Sequence, residues 1–258
     1  MPGHDLSLLI DAARRAGRVA TSFVGATAQR WDKPGGAGPV TVADLAVNDL
    51  LHSVLRSARP DYGWLSEETD DTTSRLSDEF VFIIDPIDGT RSFVEGSSTW
   101  AHSLAVARHG VVTAAVVYLP LRNRLFAAGL GLGATLNGQA ISTSGMSNLT
   151  DAHILATKPS MIAKHWASNA EPAFKRSHRP SLAYRLGLVA QGRFDAMITL
   201  RPSWEWDIAA GALIVSEAGG TCSDQKGLPL RFNNPDPRLN GVVAGGQNVH
   251  GALVDALA

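Results

Sequence analysis

The chain has 258 residues, of which 45% are apolar and 18% charged, and its formal net charge is −1. Such a chain buries a sizeable core, and its near-neutral balance excludes a global basic field for a nucleic-acid polymer or an anionic membrane. A single cysteine, Cys222, excludes an internal disulfide and argues against a structural thiolate zinc site.

No segment reaches the ~18 successive apolar residues of a membrane span. The stretch from Met1 to Val24 carries Asp5, Asp11 and three arginines in place of an uninterrupted apolar leader, so a cytoplasmic protein is expected. Leu9, Ala12, Ala13, Ala16, Val19, Ala20 and Phe23 recur at helical spacing and predict an opening amphipathic helix. Trp31 to Val40 is rich in Gly and Pro and predicts a loop. A second helix is expected from Val42 to Ser57, with Leu45, Leu50, Leu51, Val54 and Leu55 as its apolar side and Pro60 as its stop. Phe80 to Ile84 is a short, wholly apolar run that predicts a buried strand ending on Asp85.

From Trp100 to Ser142 the signals are β. Ser103 to Val106 and Val111 to Tyr118 flank a His109-Gly110 turn; Arg124 to Ala128 and Ala134 to Leu136 follow, with a tight turn at Asn137-Gly138. Ile154 to Thr157 and Ala196 to Leu200 read as strands, and Leu182 to Gln191 as a helix. Asp207 to Glu217 reads as another helix, stopped by Gly219-Gly220. Helices mixed with strands in this order indicate an α+β or layered α/β fold. Its halves, 1–145 and 146–258, are expected to form one compact unit.

The chemistry concentrates in Asp85-Pro86-Ile87-Asp88-Gly89-Thr90. Two carboxylates three residues apart follow a buried strand, and the proline between them bends the chain so that both, with the Ile87 carbonyl, converge on one point. Hard cations such as Mg²⁺ favour that all-oxygen surrounding. An Asp-rich turn would present the same residues. Gly89 and Thr90 are expected to open a helix through Phe93, whose first amides form a phosphate cradle. Glu67 and Glu68 are adjacent acids of a loop or a site. Asp207 is a first-turn acid of its helix or a site residue, and Thr41-x-x-Asp44 is a variant capping box or part of the site. Gly129-x-Gly131-x-Gly133 lacks dinucleotide-binding spacing and reads as a hairpin.

Taken together, Glu67-Glu68, Asp85 to Thr90, Trp206-Asp207 before Ala209-Ala210-Gly211, and Glu217-Ala218-Gly219-Gly220 resemble the inositol monophosphatase superfamily, over roughly Pro39 to Gly220. The resemblance implies a five-layered αβαβα sandwich, often a homodimer, with Mg²⁺-dependent and commonly lithium-sensitive phosphatase activity. It implies two or three Mg²⁺ per site, with Mn²⁺ able to substitute. Glu67, Asp85 and the Ile87 carbonyl would hold one ion, and Asp85, Asp88 and Asp207 another. Glu67 would also assist a loosely held third ion in catalysis; Thr90, oriented by Asp44, would help activate the attacking water, and Gly89 and Thr90 would bind phosphate.

The substrate expected is a small phosphorylated metabolite. Met197 to Leu200 supplies no carboxylate where inositol-hydrolysing members place one before the Trp-Asp element. Trp204-Glu205-Trp206-Asp207 and Arg231 to Pro237 look more like 3′(2′),5′-bisphosphate nucleotidases. Arg91 to Val94 with Trp100 looks equally like histidinol-phosphate phosphatases. The order of expectation is therefore adenosine 3′,5′-bisphosphate, then inositol 1-phosphate, then histidinol phosphate, with Arg91, Ser181 and Glu205 binding substrate. A sugar bisphosphatase, or a non-catalytic metal- or phosphate-binding protein of the same fold, is the remaining alternative.

Overall fold

The computed structural model describes residues 2–23, 29–32 and 39–258. Helix α1 (Pro2–Ser22) buries Leu9, Ala12, Ala13, Ala16 and Ala20 along one stripe, as their spacing predicts. The stretch expected as a loop contains instead a short antiparallel ribbon, β1 (Arg30–Asp32) on β2 (Pro39–Thr41), while residues 33–38 lie outside the described residues. Three-residue strands are too short to carry a periodic signal. Helix α2 (Val42–Ala58) opens with a capping box. Thr41 accepts from the Ala43 and Asp44 amides, and the Asp44 carboxylate accepts from the Thr41 amide at 2.8 Å. Its buried stripe runs through Ala43, Val47, Leu51 and Leu55, and Asp44 and Asn48 share it. Leu45, expected on the apolar side, is 37% exposed, because the stripe follows the i, i+4 row from Ala43.

A seven-stranded sheet follows in chain order: β3 (Gly63–Ser66), β4 (Phe80–Asp88), β5 (Ala101–Arg108), β6 (Val111–Leu119), β7 (Arg124–Gly129), β8 (Gly133–Leu136) and β9 (Gln139–Ala140). β3 and β4 are parallel and every later pair is antiparallel. The turns at His109-Gly110 and Asn137-Gly138 place both central residues at positive φ, the twist that suits a two-residue hairpin. From Phe80 to Ile84 β4 is apolar without alternation, because both its faces are covered. Phe82 and Ile84 pack toward α1 and α2, and Val81 and Ile83 pack on the opposite side. Helix α3 (Thr90–Val94) links β4 to β5.

The second half supplies β10 (His153–Leu155), β11 (Lys175–Ser177), helix α4 (Leu182–Ala190), β12 (Ala196–Thr199) and β13 (Ser203–Trp204). Helix α5 (Glu205–Glu217), β14 (Gly220–Ser223), β15 (Arg238–Leu239), β16 (Val242–Gly246) and helix α6 (Gln247–Ala256) complete it. Its main sheet has the order β11-β10-β12-β16-β14. The layers are α1 and α2, the large sheet, α4 and α5, the small sheet, and α6: the five-layered αβαβα sandwich. Helix α5 is apolar nearly all round because it lies between two sheets, and one core contains Ala115 and Val117 of β6, Ile208 and Leu213 of α5, and Val242 and Ala244 of β16. No described helix is long and apolar enough to cross a membrane.

Candidate active site

Strand β4 ends in an irregularity that sets the site. Its register with β5 runs Asp85 to Ser103 and then Asp88 to Ala101, so Pro86 and Ile87 face the single residue His102. Such a bulge bends the strand and re-aims its side chains. Asp207, from the first turn of α5, meets the bulge, and one carboxylate oxygen from each of Asp85, Asp88 and Asp207 lies within 4.8 Å of the others. The carboxyls of Asp85 and Asp207 are pushed well above the ordinary range, first by burial and then by the negative charges of one another's neighbours, Glu67 and Asp88. Asp88 is raised to about 6, again chiefly by burial, which bonds from Ser181 and Ala183 partly offset. No Lys, Arg or His forms an ion pair with these three aspartates among the described residues. Clustered oxygen donors, withdrawn from water and mutually repelling, fit a hard divalent cation.

Glu67 follows β3, where its amide donates to the Ile84 carbonyl at 3.2 Å, and its side chain lines the same cleft. Thr90 donates from Oγ1 to Asp44 Oδ1 and to the Ile87 carbonyl, each at 3.2 Å. Asp44 Oδ2 accepts from the Thr41 amide and, at 2.5 Å, from its hydroxyl. The two readings of Asp44 are therefore not exclusive: one oxygen caps α2 and the other holds Thr90. Burial, more than Glu67, raises this carboxyl, against the bonds from Thr41. Gly89 stands at φ +98, a left-handed conformation that a side chain would strain, and it starts α3 at the cleft wall.

The cleft, of about 340 Å³, is lined by Glu67, Asp85, Asp88 and Asp207 and by Arg91, Ser181, Arg185, Arg201, Trp204 and Trp206 among others. A profile described as the inositol monophosphatase family matches residues 4–257. The chain belongs to the inositol monophosphatase family. An inositol-1-monophosphatase of Mesorhizobium japonicum is 32% identical over 98% of this chain and 95% of its own. The Nus factor SuhB of Escherichia coli K12 is 36% identical over 86% of this chain and 85% of its own. The crystal structure of the extragenic suppressor protein suhB from Bartonella henselae superposes with a TM-score of 0.82 at 30% identity, covering 97% of both chains. The chain is thus a phosphoric monoester hydrolase of the inositol monophosphatase family, with an acidic cluster suited to metal.

Against that family frame, the expected substrate residues divide. Arg91 reaches the cleft and is exposed. Ser181 lines it too, but its hydroxyl donates to Asp88 Oδ2 at 2.7 Å, and the Ala183 amide donates to the same oxygen at 2.6 Å. Asp88 therefore serves both the cluster and the first turn of α4. Glu205 does not line the cleft. It is fully buried and accepts from the Asn233 amide (2.6 Å), the Asn234 amide (2.9 Å) and Asn234 Nδ2 (2.6 Å). Buried Arg75 binds Asn233 Oδ1 and the Asn234 carbonyl from the other side, and is itself paired with Asp71. The segments that pointed to a nucleotidase thus hold one another in place. Trp100 is 1% exposed and packs edge-on against Phe93, away from the cleft, whereas Trp204 is 40% exposed and stacks on Trp206.

Two further cleft residues, Arg185 and Arg201, belong to no motif in the sequence. Arg185 donates to the Arg179 carbonyl and to His178 Nε2, and burial lowers its pKa against the opposing charge of Asp88. Its signal in the sequence is a lone charge inside the otherwise apolar helix α4. Arg201 precedes β13 in a loop and carries no periodic signal at all.

Proposed function

We propose that the chain hydrolyses a phosphate monoester of a small hydroxylated metabolite with Mg²⁺, inositol 1-phosphate being the first candidate. The convergence of Asp85, Asp88 and Asp207 at one end of the cleft, beside the Thr90–Asp44 pair, carries this reading. Glu67, Asp85, the Ile87 carbonyl, Asp88 and Asp207 would hold two or three Mg²⁺, or Mn²⁺ in their place. When bound, the cation neutralises phosphate oxygens and makes water a better nucleophile near neutral pH. The hydroxyl of Thr90 has one proton, and both its acceptors, Asp44 Oδ1 and the Ile87 carbonyl, belong to the protein. Thr90 Oγ1 can therefore only accept a hydrogen bond from water in the cleft, which orients that water for attack. Gly89 and the first amides of α3 would receive the phosphate.

Inositol phosphate stands first because curated relatives carry that activity in their names and because Glu205, a reason for the nucleotide reading, is committed to the loop at 233–234. A second reading, adenosine 3′,5′-bisphosphate, is favoured by Arg91 and Arg201, which line the cleft and whose side chains make no hydrogen bond or ion pair among the described residues, and by the exposed indole of Trp204. Phosphate release with Mg²⁺ from inositol 1-phosphate, adenosine 3′,5′-bisphosphate and histidinol phosphate separates them. Highest kcat/KM on inositol 1-phosphate is expected, preference for the bisphosphate installs the second reading, and release from none of the three, or undiminished release after exhaustive chelation, defeats the proposal. Low-millimolar Li⁺ inhibition, a cytoplasmic location and a homodimer are further parts of the reading that rest on family likeness. Light scattering that finds one chain per particle would remove the dimer. The halves 1–145 and 146–258 are read as one unit because they share a core.

A further inference from the structure

His102 lies in β5 directly behind the bulge, opposite Pro86 and Ile87, and is completely buried. Its Nδ1 bonds the Pro86 carbonyl. A carbonyl can only accept, so Nδ1 carries the proton, and in the neutral ring Nε2 carries a lone pair. That Nε2 is buried and has no hydrogen-bond partner among the described residues. The ring is packed against Trp100, with centroids 5.5 Å apart, and Tyr118, at 6.3 Å. An apolar residue of similar size would fill the space without leaving a buried nitrogen unsatisfied. What an apolar residue cannot supply is the bond to Pro86. That carbonyl sits between Asp85 and Asp88, at the point where the bulge interrupts the strand ladder.

We propose that His102 is a positioning residue for the cation site: its Nδ1–H holds the Pro86 carbonyl and thereby sets the separation of the Asp85 and Asp88 carboxylates. The inference rests on the cation site proposed above. Four further bonds complete the turn: the Ile87 amide to Asp85 Oδ1 at 2.9 Å, Thr90 to the Ile87 carbonyl, and the Ser181 hydroxyl and Ala183 amide to Asp88. Of the described side chains that bond the turn, His102 alone comes from the neighbouring strand of the large sheet, so it ties the turn to the rigid layer beneath. Outer partners of this kind orient ligands that they do not themselves replace.

Mn²⁺ binding by titration calorimetry at pH 7.5 tests the idea without reference to turnover. His102→Leu removes the donor, His102→Gln places an amide near the former Nε2, and His102→Asn places one near the former Nδ1. Leu and Gln should weaken Mn²⁺ binding by about tenfold or more, and Asn should recover most of the loss. Unchanged binding in His102→Leu, or an equal loss in all three variants, would overturn the inference. Should the Leu variant fail to fold, the contrast between Gln and Asn decides by the same criterion. Wild-type chain that binds no Mn²⁺ overturns the cation site as well, whereas wild-type binding with an unaffected Leu variant overturns this inference alone.

Discussion

Glu205 and Asp207 lie two positions apart in the first turn of α5, and both carboxylates are withdrawn from bulk water. Around Glu205 the protein supplies its own donors, three nitrogens of Asn233 and Asn234, with the Arg75 charge nearby. Around Asp207 it supplies more negative charge: Asp88 and Glu67. The first arrangement is electrostatically closed and has nothing to offer a ligand. The second is open by construction, because burial among like charges creates a demand that a cation from outside can meet. Burial of an acid is thus no guide to function until its partners are counted.

The contrast breaks most sharply at Asp85. Asp85→Asn should lower kcat by about a thousandfold or more, ~4 kcal/mol of barrier, since an amide cannot bridge cations as a carboxylate does. The same variant should raise the metal-free melting temperature at pH 7.5, because it removes one of several repelling buried charges. Retention of a tenth of wild-type kcat would sink the assignment. Next comes Asp44, where the two oxygens have separate duties. Asp44→Asn should lower kcat roughly a hundredfold and also lower the melt, whereas Thr41→Val should weaken only the cap, by ~1 kcal/mol, and leave kcat near wild type. Equal effects of the two variants on kcat would dissolve the distinction.

Glu205→Gln probes the closed side. One of its donors would then face an amide nitrogen, at a cost of about 1–3 kcal/mol of stability, with kcat/KM for the folded enzyme unchanged. A variant that melts normally but loses turnover would move Glu205 into the site. The smallest expected effect is a pH dependence. Asp88 titrates at about 6 in the fold and near ~3.9 when unfolded, so its contribution to metal-free stability is complete below the unfolded value and lost as pH rises through about 6. Saturating Mg²⁺ should therefore raise the melting temperature by a few degrees at pH 7.5, and by progressively less as pH falls through about 6. A Mg²⁺ increment that is flat with pH would exclude proton competition at this cluster.

Much of this was legible in the sequence where the signal is local. The run from Phe80 to Ile84 was long enough to be a strand, and it is apolar without alternation because the two sheet faces are both covered. The spacing of Asp85 and Asp88 around a proline marked the turn, and His109-Gly110 marked a hairpin. What escaped was non-local or very short. Strands such as β13 and β15 have two residues each and exist only because each pairs with the other across more than thirty positions. The duty of Glu205 depends on Asn233 and Asn234, |i−j| of 28 and 29, and that of Arg75 on residues 158 and 159 positions away. No local pattern announces such partners. The helix α5 boundary moved from Asp207 to Glu205 for the same reason, since the Glu205 amide is held by the distant Pro237 carbonyl.

The acidic cluster draws Asp85 and Asp88 from the large sheet and Asp207 from the helix sandwiched between the two sheets. On a ribosome, residue 88 emerges well before residue 207, so a nascent chain presents an incomplete ligand set for most of its synthesis. Divalent ions have full denticity available only after α5 has docked against the large sheet. Cation capture at the proposed site would therefore work as a checkpoint: it would reward the finished tertiary arrangement and give little to a half-made one.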